Sequence, residues 1–238
     1  MSVPRAVVCL PTYNERENLE RMVRALADKD VDVLVIDDSS PDGTGEIADR
    51  LAGELPWVEV LHRPRKEGLG RAYVDGFRHV LARGAELVLE MDCDFSHDPA
   101  DVPRLIAAVE KGADLALGSR YVAGGGTANW GLVRRFISRG ASIYTRVLLM
   151  PIHDATGGFK CFRRRVLESI ELETIDAAGY VFQIETTYRT LRKGFHVVEI
   201  PITFVDRTAG RSKMSRAIVL EAVWKVPWLR LTALAGRL

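Results

Sequence analysis

The sequence predicts an α/β fold: a mostly parallel sheet covered by helices on both faces. Three observations predict it. Short, continuously apolar runs alternate with segments of helical period. Those runs lack the apolar–polar alternation of a sheet with one wet face, so both faces are covered. The unusual polar residues fall where the runs end, where open parallel sheets place their sites. With 238 residues, 47% hydrophobic and 27% charged, and no repeat or linker composition, the pattern describes one compact domain.

Each element follows in order. AVVCLP (6–11) is a strand. Thr12 and Glu15 have capping-box spacing, and Leu19, Met22, Val23 and Leu26 continue at helical period. VDVLVIDD (31–38) is a second strand, followed by the turn SSPDG and a helix that turns Ile47, Ala48 and Leu51 inward. VEVLH (58–62) is a third strand, and a helix carrying Tyr73, Phe77, Val80 and Leu81 follows Gly68 and Gly70. ELVLEMD (86–92) is a fourth strand. Asp98 then reads as N-cap and Pro99 as first helical residue, with Val102, Leu105, Ile106 and Val109 on the core face. DLALGS (114–119) is a fifth strand. Beyond it the spacing predicts a turn at 124–126, a helix over 133–149, a loop and short strand in TGGFKCFRR, a helix over 180–193 and a strand over 196–205.

Composition excludes several classes. Thirty-three basic and 32 acidic residues give a net charge of +1, without the basic excess of a nucleic-acid binder. Cys9, Cys93 and Cys161 form no CxxC or zinc spacing, which points to a reduced, cytoplasmic compartment. MSVPRAVVCLP lacks the apolar core of a signal peptide, and no run of about 18 apolar residues exists to span a membrane. No GxGxxG follows the first strand and no Walker lysine motif occurs, which argues against a nicotinamide enzyme or P-loop NTPase. The charge is unevenly spread, however. Residues 115–153 hold no Asp or Glu but five Arg, and from Arg207 onward Glu221 is the only acid among seven Lys or Arg. These are either solvated faces or faces turned toward phosphate.

The candidate site lies at the strand ends. Asp92 and Asp94 close an apolar strand, where two carboxylates repel unless a cation or donors lie between them. Either Asp94 caps a turn while Asp92 pairs with an arginine, or both hold a hard divalent cation, with Ser96 as a further oxygen. Strand alternation turns one of Asp37 and Asp38 into the crevice, where a carboxylate accepts from ribose or base. In PTYNE, Pro11 fixes the backbone, Tyr13 can stack, and Glu15 can accept from a nucleoside or serve the helix start.

PTYNERENL, VIDDSSPDGT, RKEGLGRAY, MDCDFSH, GSRY, ISRGA, DATGGFKCFRR, GYVFQIE and IPITFVDRTAGRSKM together resemble the polyprenyl (dolichyl) phosphate mannose synthases over about Pro4 to Met214. The resemblance is to the short form without transmembrane helices. It implies glycosyltransferase family 2, the GT-A fold with its Rossmann-like sheet, and inverting transfer of mannose from GDP-mannose to a polyprenyl monophosphate. It also implies that Pro11, Tyr13, Glu15, Ile36 and Asp38 hold the nucleoside, with Cys93 beside them. Asp92 and Asp94 would hold Mg²⁺ or Mn²⁺ against the diphosphate, with Ser96 standing where some relatives carry Gln. Arg120 and Arg134 would meet the lipid phosphate, and Arg207 and Lys213 the donor phosphates. Asp94, Arg120, Arg134 and Arg207 would carry the catalysis, with Asp154 and Gln183 near acceptor or sugar.

A lipid-borne acceptor implies work at a membrane surface, peripherally on its cytoplasmic face. Residues 1–214 would form the catalytic domain. Residues 215–238 mix Trp224, Trp228 and leucines with Lys225, Arg230 and Arg237, as in an amphipathic interfacial helix broken near Pro227. That segment could instead pack on the sheet or dock to a separate membrane protein. The 136–149 segment would line the lipid tail's path or form ordinary core. A UDP-glucose or other sugar-nucleotide donor, and a non-catalytic sugar-nucleotide-binding regulator, are the alternative readings.

Overall fold

A computed structural model describes residues 5–175, 179–206 and 216–235, with the side chains of the last stretch described from Trp224. The N-terminal half alternates β1 (Ala6–Thr12), α1 (Leu19–Leu26), β2 (Asp32–Asp37), α2 (Thr44–Glu54), β3 (Val58–His62), α3 (Leu69–Ala82), β4 (Leu87–Glu90), α4 (Val102–Glu110) and β5 (Leu115–Ser119). Then come β6 (Gly126–Ala128), α5 (Leu132–Leu148), β7 (Lys160–Arg163), α6 (Arg164–Ser169), α7 (Gly179–Arg192), β8 (Val197–Pro201), β9 (Thr203–Val205) and α8 (Arg216–Leu234).

Seven strands form the main sheet in the order β3-β2-β1-β4-β7-β5-β8, all parallel except β7. Alternation along β1 fixes the two layers. Val8 and Leu10 pack with Leu19, Met22, Leu51 and Leu105 of α1, α2 and α4. Val7 and Cys9 face Tyr73, Phe77, Val166 and Phe182 of α3, α6 and α7. Continuous apolar strands are therefore buried on both sides, as the composition of the runs requires.

Four local expectations change. Thr12 does not cap a helix: it ends β1, its hydroxyl donates to the Ile36 carbonyl at 3.3 Å, and α1 starts seven residues later behind Asn18. The 196–205 strand is two strands. Ile202 separates them, and β9 leaves the main sheet to pair with β6. Helix α8 runs unbroken through Pro227 because Val226, Leu229 and Ala233 are seated against Leu117, Ile184 and Tyr188. Lost backbone bonding at proline is outweighed by that burial. Finally, α5 is not core: only Ser142 and Thr145 of it are buried, and Phe136 is 82% exposed.

Candidate active site

The strand ends of β1, β2, β4 and β5 open into one crevice of about 310 Å³. It is lined by Pro11, Tyr13, Glu15, Asp38, Asp92, Cys93, Asp94, Arg120, Arg134 and Gln183, among others. Nearly every residue singled out in the described sequence therefore meets in one place. Ile36, Ser96 and Asp154 lie outside its lining; Ile36 is fully buried and packed toward Gly76 of α3. Arg207 and Lys213 lie outside the described residues.

The loops that carry these groups are held in unusual backbone conformations. Asn14, Ser39 and Phe95, none of them glycine, adopt positive φ of 60°, 53° and 59°. Such conformations cost free energy and persist where surrounding bonds over-determine them. Ser40 Oγ accepts from the Asn14 amide at 3.1 Å and donates to Asp37 at 2.6 Å, joining the first two loops. Ser39 donates to the Arg63 carbonyl at 2.7 Å. Phe95 turns the chain so that Asp94 Oδ1 accepts from the Ser96 amide at 3.0 Å.

On the acidic side, Asp38 faces the crevice while Asp37 is tied down by Ser40, as alternation requires. Burial raises the Asp38 pKa above its usual range, although Arg63 beneath it donates and lowers it. Arg63 is held in turn by Asp75 at 2.7 Å and Glu67 at 3.2 Å. Lys66, which no periodicity marked, lies 3.6 Å from the centre of the Tyr13 ring. The amide of Asp92 donates to His97 Nδ1 at 3.2 Å, so the neutral ring carries its proton on Nε2. Burial pushes His97 down to about 4, which keeps it neutral under ordinary conditions. It stacks on Phe159 at 4.9 Å between centroids.

Among the described residues no group of three or more His, Cys, Asp or Glu is placed to hold a metal ion. Asp92 and Asp94 both line the crevice, where two carboxylates could hold a hard cation whose remaining ligands came from substrate phosphates. Ser96 is buried, its hydroxyl has no partner among the described residues, and it is absent from the crevice lining; its backbone supports Asp94 instead.

The basic side is differently built. Arg120 is buried and clamped by Asp154, with Nε donating at 2.7 Å and a terminal nitrogen at 2.5 Å, and Thr156 accepts at 2.8 Å. Burial disfavours its charge, but the Asp154 carboxylate more than compensates and holds the pKa above its ordinary value. Arg134 reaches Asp206 at 2.6 Å and lies 4.2 Å from the Trp130 ring centre. Among the described residues, Arg134 Nε and the Trp130 indole nitrogen are both buried donors without a hydrogen-bond partner. Asp154, 34 residues from Arg120, came to notice only through its motif.

The mostly parallel sheet with a polar crevice at its strand ends is an α/β architecture of the GT-A type. The match to the glycosyl transferase family 2 model over residues 7–171 makes the chain a member of that family, and so a glycosyltransferase. It is 51% identical over 226 residues to a polyprenol monophosphomannose synthase of Mycolicibacterium smegmatis, covering 93% of this chain and 85% of that protein. It is 49% identical over 225 residues to an undecaprenyl-phosphate mannosyltransferase of Micrococcus luteus, covering 93% and 92%. A mannosyltransferase of Pyrobaculum calidifontis, solved with GDP-mannose and Mn²⁺, shares the fold at TM-score 0.60 and 18% identity, over 98% of this chain and 73% of that one.

Proposed function

We propose that this enzyme transfers mannose from GDP-mannose to a polyprenyl monophosphate with inversion, releasing GDP. The carrying observation is one crevice lined by both carboxylates and arginines, in a chain about half identical to two enzymes named for that acceptor class. Tyr13, Glu15 and Asp38 would hold the nucleoside, with Lys66 against the Tyr13 ring. Asp92 and Asp94 would hold Mg²⁺ or Mn²⁺, which when bound supplies positive charge to the departing diphosphate.

The nucleophile is a phosphate oxygen, already anionic at neutral pH, so no general base is required. It attacks the anomeric carbon while the bond to the GDP oxygen breaks, and a single displacement inverts that carbon. Arg120 and Arg134 lower the cost of bringing two anions together, and the donors at Arg134 and Trp130 that have no partner among the described residues suit phosphate oxygens. Asp154 fixes the Arg120 guanidinium plane. Orientation and charge supply the rate. No helix among the described residues is long and apolar enough to cross a membrane, and we read the enzyme as peripheral on the cytoplasmic face, with residues 215–238 as a membrane-interfacial segment beside the 1–214 catalytic domain.

A donor screen tests the reading. With polyprenyl phosphate present, GDP-mannose should be consumed at least about a hundredfold faster than UDP-glucose or UDP-GlcNAc. Asp94→Ala should abolish turnover and the effect of added Mn²⁺ together. A preference for a UDP sugar, or normal Asp94→Ala turnover in chelator, would overturn it.

A further inference from the structure

Lys160 of β7 and Gln183 of α7 meet beneath the crevice, apart from the groups that address nucleoside, metal and phosphates. Lys160 is fully buried. Its ammonium donates to the Gln183 side-chain oxygen at 2.5 Å, the Gln183 carbonyl at 2.9 Å and the Thr186 hydroxyl at 2.9 Å. An ammonium carries three hydrogens and no acceptor, so all three are spent, and only the oxygen of the Gln183 amide can face it. The amide nitrogen is thereby turned the other way. Glu90 lies near enough for that amide to favour its charge, yet neither Glu90 oxygen has a hydrogen-bond partner among the described residues. The nitrogen holds two hydrogens, so even an approach to Glu90 leaves one for the crevice, which Gln183 lines.

The place of this amide along the crevice is fixed from both sides. A Cβ at Gly158 would lie 3.3 Å from Gln183 Nε2 and 4.0 Å from the His97 ring, so the missing side chain leaves the amide uncovered. His97 accepts from the Asp92 amide at 3.2 Å, which puts Gly158 toward the paired carboxylates. Two residues earlier in the same loop, Thr156 accepts from Arg120 at 2.8 Å. Gly157 links the two, and all three line the crevice. Gln183 therefore lies between the groups proposed for the departing diphosphate and those proposed for the incoming phosphate, where an in-line displacement must hold the sugar.

We propose that Gln183 selects the transferred sugar by donating from its amide nitrogen to one hydroxyl oxygen, and that Lys160 is the residue that positions it. A sugar is uncharged and presents hydroxyls, which a neutral amide donor matches, while the arginines serve the phosphates. With its oxygen held on an ammonium the amide cannot flip, so an acceptor never replaces the donor at that point. Lys160 thus acts on the substrate through one side chain without touching it. A donor preset in this way rejects a sugar whose hydroxyl is missing or turned away, because the hydrogen bond is then left unmade. The inference deepens the mannosyl-donor reading, and turnover of GDP-mannose by the parent enzyme reports on that reading separately.

The test uses the full chain with polyprenyl phosphate and a set of GDP-mannose analogues, each lacking one hexose hydroxyl, at C2, C3, C4 or C6. The analogue that lacks the partner of Gln183 should cost the parent about tenfold in kcat/KM relative to GDP-mannose. Gln183→Met should lose about tenfold with GDP-mannose and nothing further with that same analogue, while its losses with the other analogues add. Lys160→Met, made together with Glu90→Gln so that no unpaired charge stays buried, should shrink the penalty for that same analogue. Unchanged circular dichroism and GDP affinity would show the variants folded. Additive losses with every analogue in Gln183→Met would overturn the sugar contact. A merely structural Lys160 would slow all donors by one common factor, and that result would overturn its positioning role.

Discussion

Glu90 stands two residues before Asp92 and is fully buried, as is Lys160 opposite it in the antiparallel register of β4 and β7. Lys160 sits 3.8 Å from the carboxylate and spends its hydrogen bonds on the Gln183 carbonyl at 2.9 Å, its side-chain oxygen at 2.5 Å and Thr186 at 2.9 Å. Burial pushes Glu90 up to about 7 and Lys160 down to about 8. A carboxyl raised in the fold contributes stability that is fully present below its unfolded value of 4.5 and is lost as pH rises through about 7. Glu90→Gln should therefore gain in urea midpoint relative to the parent as pH rises between those values. A difference independent of pH would refute the buried-carboxyl assignment. At this scale the sequence was legible where two-residue alternation decides the outcome, as for Asp38 against Asp37. It was illegible where partners lie far apart, because no local period encodes Asp154 beneath Arg120 or Lys160 above Gln183.

The turn between β5 and β6 shows what the elements contribute. Gly125 has no room for a side chain: a Cβ there would lie 2.5 Å from the Ser119 carbonyl oxygen and 3.0 Å from the Arg120 carbonyl carbon. Gly125→Ala should displace the Arg120 backbone. KM for the polyprenyl phosphate should rise roughly tenfold or more, with GDP-mannose affinity little changed, since small misplacements of a positioned group are costly. Steady-state kinetics varying each substrate would settle the point, and an unchanged acceptor KM would count against it. Elements with long apolar periods were legible, including all five strands of the N-terminal half and the helices between them. Strand β7 was read only as a short strand after a loop. Nothing in KCFR, with a lysine inside, announces that it enters the middle of the sheet in the reverse direction. The Thr12–Glu15 spacing misled for the opposite reason: a short local motif lost to the pairing of β1 with β2.

Across the whole molecule, β7 couples the halves of the chain. Its pairing to both β4 and β5 leaves no seam in the main sheet, and α8 closes the far side through Val226, Leu229 and Ala233. Urea unfolding should be one cooperative transition, with far-ultraviolet circular dichroism and tryptophan fluorescence coincident. Resolved midpoints for the two probes would contradict that single core. A basic, acid-free stretch from 115 to 153 was legible from composition, but the exposed apolar side of α5 needed the fold, because helical period alone does not say which stripe meets the sheet. The central reversed strand also bears on biosynthesis. Some 70 residues separate the end of β4 from the start of β7, so on the ribosome β4 waits with one edge unpaired. At about 5–20 residues per second that wait lasts several seconds. During it the nascent chain presents a sticky, open border of the kind chaperones shield.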